Sequence, residues 1–417
     1  MIPIGLDEVA ALGLGRLEGD APGGIVVAVG ADSRRAGPGT LFVALNSGVD
    51  YVADARARGA CTLVPDDQHH ALAALASLVR ERSRARVVAV VGSVGKTSTK
   101  DVLGALCAAV VPTVAAEASL NNEIGLPLTV LRLEPETEVL VAEMGMRGLG
   151  QVASLCAVAR PHLALVTRIG PEHLALVGPV ENVARANAEA LEALPPGGIA
   201  VVPAGATELE PYLRRDGLDV RRFDPAGVER VDGSRWRLPL ASGSLELELP
   251  FPQRHMAENA LAALTAYEAL GLPLERAQEG VSRAVLSRWR GEALPLAGGG
   301  FVVNDAYNAN PASMRAALAD LAERAGGRRP VAILGGMAEL GAAAEAHHRE
   351  VLDLAHRLGI EVLAVGELGR LYGAARWAED ADAAVEAARS FLRAGDAVLV
   401  KASRSVGLEG IPARLAN

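Results

Sequence analysis

Three stretches of the chain hold residue types that could do chemistry together. The first is Gly92-Ser93-Val94-Gly95-Lys96-Thr97-Ser98, which follows the apolar run Val87-Val88-Ala89-Val90-Val91. Glycines let backbone N–H groups approach phosphate oxygens, and a helix N-terminus favours the negative charge. A lysine reaches the terminal phosphates, and a Thr hydroxyl can bind Mg2+. All four parts stand here in order, although the two glycines are separated by two residues where the usual phosphate loop has four. The plainer alternative, a Gly-containing turn with a surface lysine, does not account for the strand before it and the helix after it.

The second stretch is Glu143, directly after Val139-Leu140-Val141-Ala142. A carboxylate at a strand end of an open α/β sheet faces the ligand crevice and can hold Mg2+ on a nucleotide. A solvated loop glutamate is the competing reading. The third is His173, in Thr167-Arg168-Ile169-Gly170-Pro171-Glu172-His173-Leu174. Mg2+ prefers oxygen ligands, so a packed or surface histidine stays as open as a metal ligand. Lysine occurs only at 96, 100 and 401, and the other 38 basic residues are arginine. A compact ammonium cannot be replaced by a planar fork, so the surviving lysines mark positions where that shape matters.

These residues need elements to position them, and the chain supplies a repeating pattern. A length of 417 residues is enough for roughly three domains. Residues 1–82 hold strand-like runs at 24–29 and 41–45 and end in an Ala/Leu-rich helix over 70–84. Residues 83–295 alternate buried strands (87–91, 139–142, 163–167, 198–202) with helices (97–109, 180–194), the pattern of a mostly parallel sheet covered on both faces. They add a hairpin over 235–249 and a helix over 256–270. Residues 296–417 begin after Gly298-Gly299-Gly300 with a new series of strands (301–305, 331–335, 362–366, 397–401), expected as a smaller Rossmann-like domain. The expected fold class is therefore α/β in three domains, with the phosphate loop in the central one.

Composition narrows the function classes. Half of the residues are hydrophobic and 22% are charged, which excludes a disordered chain. The net charge of -9 argues against a nucleic-acid or anionic-membrane surface. Cys61, Cys107 and Cys156 show no metal or disulfide spacing and are expected as buried thiols in a reducing compartment. With no basic, apolar leader and no apolar run of membrane length, a cytoplasmic protein is expected.

Longer motifs carry a resemblance. Gly92 to Lys100, Asn121-Asn122-Glu123-Ile124-Gly125, Glu143-Met144-Gly145-Met146-Arg147-Gly148 and Asp305-Ala306-Tyr307-Asn308-Ala309-Asn310-Pro311 resemble the Mur ligases. Met337-Ala338-Glu339-Leu340-Gly341 and Lys401-Ala402-Ser403-Arg404-Ser405 resemble the branch of that family that joins D-Ala-D-Ala to UDP-MurNAc-tripeptide. The resemblance implies an N-terminal UDP-sugar domain, a central ATPase and a C-terminal domain for the incoming amine, with ATP and Mg2+ required and a monomer expected. It also implies activation of a carboxylate as an acyl phosphate, which the amine of D-Ala-D-Ala then attacks. A folylpolyglutamate-type ligase of the same architecture and a catalytically silent nucleotide-binding scaffold are the alternatives.

Carried over by position, the resemblance puts Lys96 and the loop on the phosphates, and Thr97 and Glu143 on Mg2+. It puts His173 on a second metal, Asn259 on adenine, Arg290 on the γ-phosphate with Arg288 as fallback, and Asp305 on the ribose. Asn121, Asn122, Asn308, Asn310, Glu339, His347, Lys401, Ser403 and Arg404 would line the substrate side, and Ser33, Arg34 and Asn46 would contact the uridine. Three departures stand out. The family's carbamylated lysine, in a helix of the type Val-Ala-Lys-Ala-Lys-x-Glu, is Asn187 in Val183-Ala184-Arg185-Ala186-Asn187-Ala188-Glu189. Glu189, about half a turn further on, or a water is expected to compensate. Gly335-Gly336-Met337 lacks the usual aspartate, and Ser47-Gly48-Val49-Asp50-Tyr51 shortens a segment that often carries Asp-Gly-His.

Overall fold

The computed structural model describes residues 1–416. Its centre is a six-stranded sheet whose strands run in the order Asp219–Phe223, Ile199–Pro203, Leu163–Val166, Arg86–Val91, Val139–Glu143, Thr113–Ala115. All neighbours are parallel. Successive side chains of a strand point to opposite faces. In Arg86–Val91, Val87, Ala89 and Val91 accordingly enter one core and Val88 and Val90 the other. Helices Lys96–Ala108 and Arg254–Ala269 cover the second face. Gly125–Val130, Gln151–Ala159 and Val180–Glu192 cover the first. Both faces being dry explains the continuous apolar strands of the sequence.

Chain order reverses at Arg86–Val91. The strands that follow it are laid on one side as far as Glu143, and those after it on the other side. The crevice at such a reversal, beyond the carboxyl ends of the strands, is where open α/β sheets bind ligands. The phosphate loop, Glu143 and the segment from Thr167 to His173 all leave the sheet there.

The N-terminal part forms a four-stranded mixed sheet in the order Gly15–Glu18, Cys61–Pro65, Thr40–Val43, Ala28–Gly30. The expected strand over 24–29 is broken. Gly23 and Gly24 turn with positive φ, Ile25–Val26 pairs with Ile4–Gly5, and Ala28–Gly30 joins the larger sheet. Helix Gln68–Arg82 buries Leu72, Leu75 and Val79 in the same core as Leu126 and Leu140, so it docks this part onto the central sheet.

The C-terminal sheet runs Glu292–Leu296, Gly300–Asp305, Ala397–Lys401, Pro330–Gly335, Glu361–Val365, Arg376–Ala378, with only the first strand antiparallel. That edge strand begins before the Gly-rich turn, and Pro295 suits an edge position. The hairpin expected over 235–249 is present and gains a third strand, Glu229–Asp232. The three cysteines are free and buried. Among the described residues, no helix is long and apolar enough to cross a membrane.

Candidate active site

The phosphate loop is fixed from behind before any ligand meets it. Gly92 has φ +127°, and a Cβ there would lie 2.3 Å from Thr167 Oγ1, so only glycine fits. Its N–H donates to Asn187 Oδ1 at 2.7 Å. Ser93 N–H donates to the Arg168 carbonyl at 2.7 Å, and Ser93 Oγ donates to the Gly170 carbonyl at 3.0 Å. Thr167 Oγ1 donates to the Val94 carbonyl at 2.7 Å. Gly95, at φ +87°, is the N-cap of Lys96–Ala108, and Asn259 packs against it closely enough to leave no room for a Cβ. The first-turn amides of that helix have no intrahelical acceptor and supply the anion site. Lys96 Nζ bonds the Gly92 carbonyl and lies 3.3 Å from the buried Glu172 carboxylate.

Glu143 is fully buried. Its Oε1 accepts from Asn121 Nδ2 at 2.7 Å, while Oε2 has no partner. Thr97 Oγ1 lies 3.2 Å from Ser119 Oγ, which also accepts from Arg290 Nη2 at 3.3 Å. The Arg290 guanidinium stacks over the Tyr307 ring at 4.2 Å, and its buried Nε is unpartnered. An orphaned buried carboxylate oxygen and a threonine hydroxyl on one cavity wall suit Mg2+, which takes one or two carboxylates and fills its shell with water and phosphate oxygens. Among the described residues, no three His, Cys, Asp or Glu side chains converge on a metal position.

The C-terminal sheet presents its own strand ends to the same crevice. Lys401 Nζ donates to Asp305 Oδ2 at 2.5 Å and to the Asn308 carbonyl at 3.1 Å. Asn310 caps helix Pro311–Ala325, accepting from Ser313 N–H at 2.9 Å, and its Nδ2 reaches the Ser93 carbonyl at 3.4 Å. Ser403 Oγ accepts from Ala338 N–H at 2.9 Å. His173 Nδ1 meets Glu339, whose other oxygen is 3.8 Å from Arg147. Both His173 and Glu339 hold left-handed backbone conformations, at φ +51° and +63°. His255 also lines the crevice, and burial pushes its imidazole down to about 4.

One cavity of about 660 Å³ gathers the loop from Ser93 to Ser98 with Asn121, Asn122, Glu143, His173, Asn259 and Arg290. Across it stand Asp305, Asn308, Asn310, Glu339, Lys401, Ser403 and Arg404. Five of the residues singled out in the sequence are not brought there. His347 pairs with Glu350 on its own helix, and Ser33, Arg34 and Asn46 lie in the N-terminal part, where Arg34 pairs with Asp32 and Asn46 bonds Gln68. Arg288 is exposed and outside the cavity, so the guanidinium that reaches it is that of Arg290.

Residues 90–267 match the model of the Mur ligase middle domain and residues 289–404 that of the Mur ligase glutamate ligase domain. The UDP-N-acetylmuramoyl-tripeptide--D-alanyl-D-alanine ligase of Escherichia coli (strain K12) is 33% identical, over 99% of this chain and 98% of that protein. The chain belongs to the Mur ligase family. The ligase of the same name from Synechocystis is 30% identical over 92% and 90% of the two chains. A crystal structure of MurF from Acinetobacter baumannii superposes with a TM-score of 0.86 at 27% identity, covering 99% of each chain. MurF ligase from Thermotoga maritima in complex with ADP shares the fold, with a TM-score of 0.82 at 23% identity over 93% and 97%.

Within this Mur ligase, one expectation from the sequence needs correction. Glu189 does not turn toward the phosphate loop. Its carboxylate accepts from Gly150 and Ala153 N–H at 2.6 and 2.9 Å, capping helix Gln151–Ala159, so it cannot also stand in for a carbamate. His173, expected at a second metal, stands on the cavity wall with Nδ1 on Glu339 and Nε2 3.6 Å from Glu172. Sequence reasoning missed Glu172 and Ser119. Glu172 carried a signal, being the acid immediately before His173 in the turn after a buried strand. Ser119 carried none, because only the fold brings it between Thr97 and Arg290.

Proposed function

We propose that the chain is an ATP-dependent amide ligase that adds D-Ala-D-Ala to UDP-MurNAc-tripeptide, releasing ADP and phosphate, in cytoplasmic peptidoglycan precursor synthesis. The observation that carries this reading is the single crevice in which Lys96, Glu143 and Arg290 of the central part face Asp305, Asn308 and Lys401 of the C-terminal part. The name shared by relatives at 30–33% identity over most of the chain supports the substrate pair. In this reading residues 1–82 take the UDP-sugar through Ser33, Arg34 and Asn46, residues 83–295 take ATP, and residues 296–417 take the amine, in a monomer.

Amide formation from a carboxylate needs a better leaving group than oxide. The tripeptide carboxylate attacks the γ-phosphorus in line, giving an acyl phosphate and ADP. Lys96 leaves Glu172 for the terminal phosphate oxygens, and Arg290 donates to the same oxygens from the opposite side, stabilising charge as it spreads in the transition state. Mg2+, held through Glu143 and Thr97, would neutralise phosphate charge and polarise the transferring group. Asn259 sits at the adenine end and Asp305 at the ribose. The D-Ala-D-Ala amine then attacks the acyl carbon and phosphate departs. Contacts such as Asn310 to Ser93 and His173 to Glu339 close the crevice between the two sheets and exclude water from the acyl phosphate.

Coupled measurement of ADP release tests this. Sustained ADP release should require both UDP-MurNAc-tripeptide and D-Ala-D-Ala, and Lys96→Ala should abolish it. Release driven by a different acceptor, or near-wild-type turnover in Lys96→Ala, would refute the assignment.

A further inference from the structure

Asn187 stands where the family resemblance calls for a carbamylated lysine, and the structure gives its side chain another task. It is 1% exposed, and both of its polar atoms are committed inside the protein. Oδ1 accepts from Gly92 N–H at 2.7 Å, and Nδ2 donates to the Val183 carbonyl one turn earlier at 2.8 Å. Gly92 is where the central strand ends and the loop begins, so this amide joins helix Val180–Glu192 to the root of the phosphate loop.

No other side chain can supply the missing carbamate. A carbamate forms when the lone pair of a neutral amine attacks CO2, and an ammonium held by a carboxylate offers no lone pair. Lys96 faces Glu172 at 3.3 Å. Lys100 meets Asp101 and donates to the Ala116 carbonyl at 2.7 Å. Lys401 holds Asp305 at 2.5 Å. These are all the lysines of the chain. Glu189 is spent on a helix end, as shown above.

We propose that this nucleotide site works without a lysine carbamate and that Asn187 is a positioning residue, fixing the start of the phosphate loop through the Gly92 amide. The inference rests on the ATP-dependent reading above. Truncating Asn187 leaves a buried N–H without an acceptor, a defect that costs enough to weaken whatever depends on the loop by about tenfold or more.

The test uses the full chain, with Mg-ADP as the probe in calorimetry and the coupled ligase assay beside it. Asn187→Ala should raise the Mg-ADP dissociation constant and the KM for ATP about tenfold, while leaving the KM for D-Ala-D-Ala unchanged. Asn187→Asp supplies a second handle should the alanine variant fail to fold. A protonated aspartic acid reproduces the acceptor and the donor of Asn187, whereas the carboxylate repels the Val183 carbonyl and the phosphates. Its Mg-ADP affinity relative to wild type should therefore rise as pH falls, which a merely structural role would not produce. Wild-type turnover should be the same in CO2-stripped buffer and with added bicarbonate. Wild-type affinity in Asn187→Ala, a flat pH response in Asn187→Asp, or bicarbonate stimulation of the wild type would each overturn the proposal. Absence of D-Ala-D-Ala-dependent ADP release alongside the expected Mg-ADP losses would instead sink the substrate reading and leave Asn187 in its role.

Discussion

Replacing Glu143 with glutamine separates what the crevice does for stability from what it does for chemistry. The carboxylate is fully buried at the end of strand Val139–Glu143, with Oε1 bonded to Asn121 and Oε2 bonded to nothing. A buried carboxylate oxygen left without a partner destabilises the folded state, at a cost of about 1–3 kcal/mol. Glutamine keeps the shape and the oxygen facing Asn121 while removing the charge. The ligand-free variant should therefore resist denaturant better than wild type, by less than about 1–3 kcal/mol because the amide nitrogen that replaces Oε2 is itself left without a partner. Mg2+ should narrow or reverse that difference. A ligand at a hundred times its dissociation constant stabilises the wild type by about 2.7 kcal/mol, and the variant should lose that gain along with at least a hundredfold of turnover. Denaturant titrations with and without Mg-ADP, read beside ADP release, give all three quantities. Equal stabilisation of both proteins by Mg-ADP, or a variant less stable than wild type without ligand, would refute the assignment of Oε2 to the metal.

Two other outcomes follow from the same crevice. Arg290→Lys keeps a positive charge but loses the planar fork that stacks on Tyr307 and reaches Ser119, so kcat should fall about a hundredfold with little change in the KM for UDP-MurNAc-tripeptide. His255 is lowered from 6.5 to about 4 by burial, so the unfolded chain binds the extra proton between those values. Its contribution to stability is complete above about 6.5 and is lost as pH falls toward 4; His255→Asn should flatten that acid-side loss by at most about 3 kcal/mol in denaturation midpoints followed against pH.

Much of the fold was legible because its strands obey a local rule. Arg86–Val91, Val139–Glu143, Leu163–Val166 and Ala397–Lys401 are apolar but for a charged residue at one end of three of them, and a doubly covered parallel strand has no polar face to hide. Gly92 and Gly95 were legible for the same kind of reason, since both occupy conformations that glycine alone accepts freely. What escaped were features set by distant partners. Glu292–Leu296 reads as a linker until Gly300–Asp305 is beside it, and the broken strand near Ile25 is decided by a pairing with Ile4–Gly5. Asn187 reads as a lost ligand until the Gly92 amide, 95 residues away, is seen to bond it.

The shortened loop gains its meaning from those distant partners. With two residues between Gly92 and Gly95, the loop has little backbone to wrap around a phosphate chain. Two of its amides are not available for the purpose, because Gly92 N–H goes to Asn187 and Ser93 N–H to Arg168. Anion binding is left to the amides of Val94 and Gly95 and to those at the start of helix Lys96–Ala108, where the helix field adds to the hydrogen bonds. A loop this short is stiff in consequence. It is tied to helix Val180–Glu192 through Asn187, to the turn after Leu163–Val166 through Thr167 and Gly170, and to the C-terminal part through Asn310. The last tie joins residues 217 apart in sequence and couples the position of the C-terminal part to that of the loop. A ligand that holds the C-terminal part against the crevice would thereby also act on the phosphate loop.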